Sequence, residues 1–135
     1  MRRAQVLCGA LLVVLAVTSA CQRDETVNAY GAADKVWQLQ EIDDQPVTFS
    51  ATLRFPEPGR LSGDAPCNSY QAPMTVPYPW FEVTQITATR RACPALAEET
   101  RYFTTLKAMS LSEVLGDTLI LSTPEGRNMV FTAGG

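Results

Sequence analysis

The first twenty-one residues constrain this chain most, because they decide the compartment in which everything after them folds. Met1-Arg2-Arg3 is basic, Val6 to Val17 is an apolar run, and the small residues Thr18-Ser19-Ala20 stand in front of Cys21. A basic start, an apolar middle of about a dozen residues and a small-residue cut site are the parts of a secretory signal peptide, predicted here over residues 1–20. Spanning a bilayer takes about 20 apolar residues, so the run is short for a permanent transmembrane helix. The competing use is a buried helix of the mature fold.

A cysteine directly after the small residues resembles the lipobox of bacterial lipoproteins, in which the thiol receives a diacylglyceryl group and becomes the new N-terminus. Ser19-Ala20-Cys21 matches that pattern, whereas Thr18 stands where Leu is usual. Ordinary cleavage after Ala20 is the alternative, and it would leave a soluble secreted protein with no purpose for Cys21. In a host with two membranes, Gln22 after the lipidated cysteine, rather than Asp, resembles the signal for passage to the outer membrane. Residues 21–34 are polar and small, without apolar periodicity, and read as a lipidated, flexible tether. The expected location is the cell envelope, lipid-anchored and facing the periplasm.

Four cysteines are present, but Cys8 falls in the apolar run and Cys21 in the anchor. That leaves Cys67 and Cys93, which in an oxidising compartment are expected to pair, closing a loop worth about 3 kcal/mol in the chain-entropy model. Two separate buried thiols are the alternative. A metal site would need more ligands than two thiols, and the chain has no His at all. Missing His also removes the commonest neutral-pH general base, so no catalytic residue, metal or cofactor is assigned. Net charge is −3 and basic residues are scattered apart from Arg90-Arg91, which argues against nucleic acid as a partner. The mature length buries roughly two-thirds of its unfolded surface, enough for one domain folding as a monomer.

Alternation marks the strands. Trp37 and Leu39 point one way in a first strand, Asp43-Asp44-Gln45-Pro46 supplies a turn, and Leu53 and Phe55 share a face in a second strand. Pro56-Glu57-Pro58-Gly59 reverses the chain into Arg60 to Gly63. Phe81 and Val83 share one parity and Ile86 and Ala88 the other, which predicts a β-bulge near Thr84-Gln85. Pro94 suits the first turn of a helix over Ala95 to Met109, with Leu96, Phe103 and Leu106 on the inner face and Glu98, Glu99 and Arg101 in solvent. Leu119 and Leu121, then Met129 and Phe131, flank the turn Thr123 to Arg127 as a terminal hairpin. The order predicts an α+β domain over 35–133, mainly antiparallel sheet with one helix.

Five segments in order carry a family resemblance: Trp37-Gln38-Leu39, Gly63 to Tyr70 with Cys67-Asn68 inside it, Ala88-Thr89-Arg90-Arg91-Ala92-Cys93, a helical Glu98 or Glu99 with Phe103, and Gly116-Asp117-Thr118-Leu119-Ile120-Leu121. Together they resemble the META domain, the family of the bacterial heat-shock protein HslJ. Pro66 replaces the usual Gly before the cysteine, and Ala72 falls where a Gly often follows the Tyr. The resemblance implies a curved, barrel-like antiparallel sheet with a helix packed across it, and a loose association with heat stress, motility or antibiotic tolerance. It implies no reaction.

Candidate binding residues are Asn68, Tyr70 and Arg90 beside the cysteines, where Arg90 is suited to an anion or a partner carboxylate, and Tyr78 and Trp80 in the proline-rich loop Pro73 to Trp80. Each has a plainer use: Asn68 as turn chemistry, Tyr70 as packing, Thr89 as a strand former, and the prolines as guards of a strand edge. Two functions fit. One is a non-enzymatic envelope lipoprotein that binds a protein partner in stress response or assembly. The other is a carrier or sensor of a small apolar ligand, which requires a closed apolar cavity.

Overall fold

A computed structural model describes residues 23–134; the expected signal peptide over 1–20 and the lipidation residue Cys21 lie outside the described residues. Nine strands run antiparallel in one curved sheet that does not close on itself: β1 (Trp37–Ile42), β2 (Gln45–Pro46), β3 (Thr52–Glu57), β4 (Gly59–Asp64), β5 (Ser69–Met74), β6 (Thr87–Ala88), β7 (Leu111–Leu115), β8 (Thr118–Ser122) and β9 (Asn128–Ala133). Their spatial order is β6-β5-β4-β3-β1-β9-β8-β7, with β2 paired to the end of β1. One α-helix, α1 (Leu96–Ala108), packs across the sheet.

The alternations decide which face is inside. Trp37, Leu39, Leu53, Phe55, Leu119, Leu121, Met129 and Phe131 are all buried, so period-two patterning identified their strands. Asp43 and Asp44 both take positive φ (50° and 63°), which is the two-residue turn that joins antiparallel strands without splaying them. The Asp43 carboxylate accepts the Arg127 guanidinium at 2.9 Å, and that bond holds its pKa below the ordinary value.

Five expectations are corrected. Residues 23–34 are not a flexible tether: Val27 and Ala32 are fully buried, and Trp37 Nε1 donates to the Ala32 carbonyl at 3.0 Å. Asp24 receives the Thr26 N–H at 2.9 Å, Val27–Tyr30 forms a 3-10 turn, and Gly31 ends it with φ 104°, a conformation Gly adopts without strain. One turn contributes one large apolar side chain, too little to leave a periodic trace. The slip of parity at Thr84-Gln85 is present in the burial pattern, but not as a bulge, because residues 81–86 lie outside the ladder. Register shifts fall instead at Leu39/Glu41 and Arg54/Glu57, the latter at Pro56, which has no N–H to give the ladder.

Third, the helix turns a different face inward. Leu96 is exposed, whereas Glu99, Tyr102, Thr105 and Leu106 are buried. Residues 99, 102 and 106 lie at +3 and +7, a helical stripe begun by a charge rather than an apolar residue. Fourth, β7 is a strand between helix and hairpin that alternation did not reveal, because only Ser112 on it is fully covered. Pro73, read as loop, lies in β5 opposite Arg60, on the side where β6 does not reach. A proline is tolerated there since its missing N–H faces an unpaired edge.

The segment between β5 and β6 spans the gap left by the open sheet. Trp80 bridges Leu111 on β7, Phe81 N–H donates to Ser110 O at 2.9 Å, and β6 pairs with Tyr70 and Gln71 on β5. Phe81 and Val83 drop from this strap into the interior, which is filled by Trp37, Tyr102, Phe131, Leu61 and Leu106.

Candidate functional site

The turn Ala65–Asn68 joins β4 to β5 and is held from two directions. Cys67 and Cys93 are disulfide-bonded across a Cα–Cα distance of 5.7 Å. Glu99, reaching down from the first turn of α1, accepts the N–H of Cys67 at 3.0 Å and of Asn68 at 2.8 Å on one oxygen, and the Asn68 amide at 2.7 Å on the other. A buried carboxylate is costly unless its lone pairs are used, and three donors use them here. Asn68 is saturated in turn: its amide also reaches Arg91 O at 3.1 Å, and its carbonyl oxygen accepts Thr89 Oγ1 at 2.9 Å and Arg91 N–H at 2.6 Å.

Asn68 and Thr89 are therefore parts of a clasp that pins the loop Thr89–Cys93 to the β4–β5 turn, and the Asn68 side chain has no free group to offer a ligand. Tyr70 is also structural. Its hydroxyl donates to Thr52 O at 2.7 Å and lies 2.6 Å from the Tyr102 hydroxyl. Burial pushes the Tyr70 phenol well above its usual pKa, helped by the neighbouring Tyr102 and Asp64, and burial likewise raises Tyr102. Gly63 makes this arrangement possible, because a Cβ there would come 2.0 Å from the Thr52 carbonyl oxygen and 2.8 Å from the Tyr70 hydroxyl. Arg90 and Arg91 differ from all of these: both are exposed, and neither forms an ion pair among the described residues.

The second group lies at the other end of the β4–β5 hairpin, six residues of strand or about 17 Å away. Pro77-Tyr78-Pro79-Trp80 is a turn with a cis Tyr78–Pro79 bond, closed by Trp80 N–H to Pro77 O at 2.9 Å. Tyr78 N–H donates to Glu25 O at 2.7 Å, and its ring stacks on Tyr30 with centroids 4.5 Å apart. Trp80 and Tyr30 remain 56% and 52% exposed, in contrast to the fully buried Trp37. Tyr78 and Trp80 thus lie in one turn, separate from Asn68, Tyr70 and Arg90.

Sequence reasoning placed Glu99 in solvent and left it an alternative to Glu98 in the family pattern, gave Gly63 no role of its own, and missed Tyr102 and Tyr30. The +3 and +7 spacing from Glu99 through Tyr102 to Leu106 was the available signal for Glu99 and Tyr102; Tyr30 had none. Among the described residues, open surface grooves include one of about 510 Å³ beside Lys35 and Asp117. Among the same residues, no three His, Cys, Asp or Glu side chains are placed to hold a metal ion.

The architecture is that of a small domain with a filled interior and two contrasting surfaces at its ends. The META domain family profile matches residues 31–134, most of the chain, and the protein belongs to the META domain family. Its fold is similar to the solution structure of a protein from Burkholderia xenovorans (TM-score 0.63, 18% identity, covering 87% of this chain and 94% of that one). It is also similar to the crystal structure of a DUF4847 family protein from Bacteroides vulgatus (TM-score 0.63, 8% identity, 81% and 97% covered). At these identities the likeness concerns the fold alone. No curated protein matches the chain.

Proposed function

We propose that the chain is a non-enzymatic cell-envelope lipoprotein, anchored through Cys21, whose META domain engages an acidic segment of a protein partner in envelope assembly or stress response. The observation that carries the reading is the pair Arg90-Arg91. Both guanidinium groups are exposed and unpaired among the described residues, while the backbone beneath them is fixed by Asn68 and the disulfide. A cation displayed on a rigid loop binds a carboxylate with little ordering cost, and Arg offers a two-point fork for it. The interior is occupied by Trp37, Phe81, Tyr102 and Phe131, which supports contact at a surface over carriage of an apolar ligand inside.

Photo-crosslinking from position 90 in intact envelopes tests this. One discrete protein adduct, lost when Arg91→Glu is added, is the expected result; the absence of any adduct in cells whose Cys21 is acylated contradicts the partner reading.

A further inference from the structure

We propose, building on the lipid anchor put forward above, that the face formed by Tyr30, Tyr78 and Trp80 rests on the bilayer that holds Cys21, so that the lipid surface is the partner of the aromatic turn. The first support is the length of the leash. Asp24 already belongs to the body: its carboxylate accepts the Thr26 N–H at 2.9 Å, the Thr26 hydroxyl at 2.7 Å and the Asn28 amide at 3.2 Å. Only Gln22 and Arg23 separate it from Cys21. Three extended residues span at most about 10 Å, and the polar layer on each side of a bilayer is itself about 5–8 Å deep. An acyl chain on Cys21 therefore holds the body against the headgroups.

The second support is what the chain meets where that leash ends. Residues Arg23 to Thr26 line a groove with Pro58, Gly59, Thr75 and Pro77, so the leash enters beside the Pro77–Trp80 turn. Glu25 bonds Tyr78, and Tyr78 carries Tyr30. Tyr and Trp favour the headgroup level, where an apolar ring and a polar tip are both satisfied. Stacking fixes the Tyr30 and Tyr78 rings and two short backbone bonds fix the turn that carries Trp80, so little freedom is lost on contact. Arg90 and Arg91, at the far end of the β4–β5 hairpin, then point away from the membrane toward a soluble partner. The N-terminal segment is thus a spacer of fixed orientation, and it sets which end of the domain the periplasm sees.

The test uses the full chain, processed in a lipoprotein-competent host and reconstituted into phosphatidylethanolamine vesicles carrying headgroup-level spin-labelled lipid. The chain has two tryptophans, and Trp80→Phe isolates the contribution of the other. The Trp80 component is expected to shift to the blue and to be quenched, while the Trp37 component is unchanged. Trp80 emission that stays unshifted and unquenched in a preparation whose Cys21 is acylated by mass overturns the docking and leaves the anchor standing; that outcome returns the aromatic turn to a protein partner. A mass showing no acyl group overturns both.

Discussion

The β4–β5 hairpin carries at its two ends surfaces built on opposite principles. At the Cys67 end, the clasp consumes its own polar groups internally: Glu99 takes three donors, Asn68 uses both its amide and its carbonyl, and the disulfide closes the same turn covalently, leaving Arg90 and Arg91 as exposed cations above it. At the Tyr78 end, the turn is held by backbone bonds and the Tyr30–Tyr78 stack, while Tyr30 and Trp80 stay open to solvent. The first end spends its chemistry on the fold except at Arg90 and Arg91; the second leaves its aromatic faces open for something outside. A residue that looks reactive in the sequence is thus informative only once its partners are known.

If that division is right, substitutions at the clasp lower stability and those at the aromatic turn do not. Gly63→Ala is expected to be the most severe, since its Cβ meets a backbone carbonyl that cannot move without breaking β3; loss of well over 3 kcal/mol, read as failure to give a cooperative urea transition, is the expected outcome. Glu99→Ala strands three donors in a buried turn and is expected to cost about 3–4 kcal/mol by urea denaturation. Cys67→Ala with Cys93→Ala should cost about 3 kcal/mol, and an unchanged denaturation midpoint after reduction would sink the role given to the bridge.

Tyr70 and Tyr102 add a pH signature. Their folded pKa values lie above the unfolded value near 10, so their contribution is intact below pH 10 and declines as pH rises above it, when only the unfolded chain releases the protons. Tyr102→Phe should flatten that alkaline decline, at a cost of about 1 kcal/mol at neutral pH. Smallest of all, Trp80→Ser should change stability by less than about 0.5 kcal/mol. A larger loss there would merge the two ends into one structural unit.

Much of this fold was legible in the sequence, because period-two burial leaves a direct trace: Trp37/Leu39, Leu53/Phe55 and Met129/Phe131 identified their strands unaided. The disulfide was legible from the cysteine count together with the expectation of export. What escaped is physical in kind. Glu99 is buried because three donors await it, and those donors are brought to it by tertiary structure alone. Residues 21–34 looked like a tether since the 3-10 turn and its flanks bury only Thr26, Val27 and Ala32 among the described residues. β7 lay hidden because its cover is partial. The site residues divided as their partners dictated: Asn68, Tyr70 and Thr89 went to the fold, and Arg90 and Trp80 stayed exposed.

Both ends have their assigned roles only if the chain is exported and anchored. Intact-mass measurement of the protein extracted from native envelopes tests this at once. The predicted species begins at Cys21, carries acyl mass on that residue, and is two hydrogens lighter than the reduced chain at Cys67 and Cys93. A species that retains Met1, or one with both of those thiols free, contradicts it.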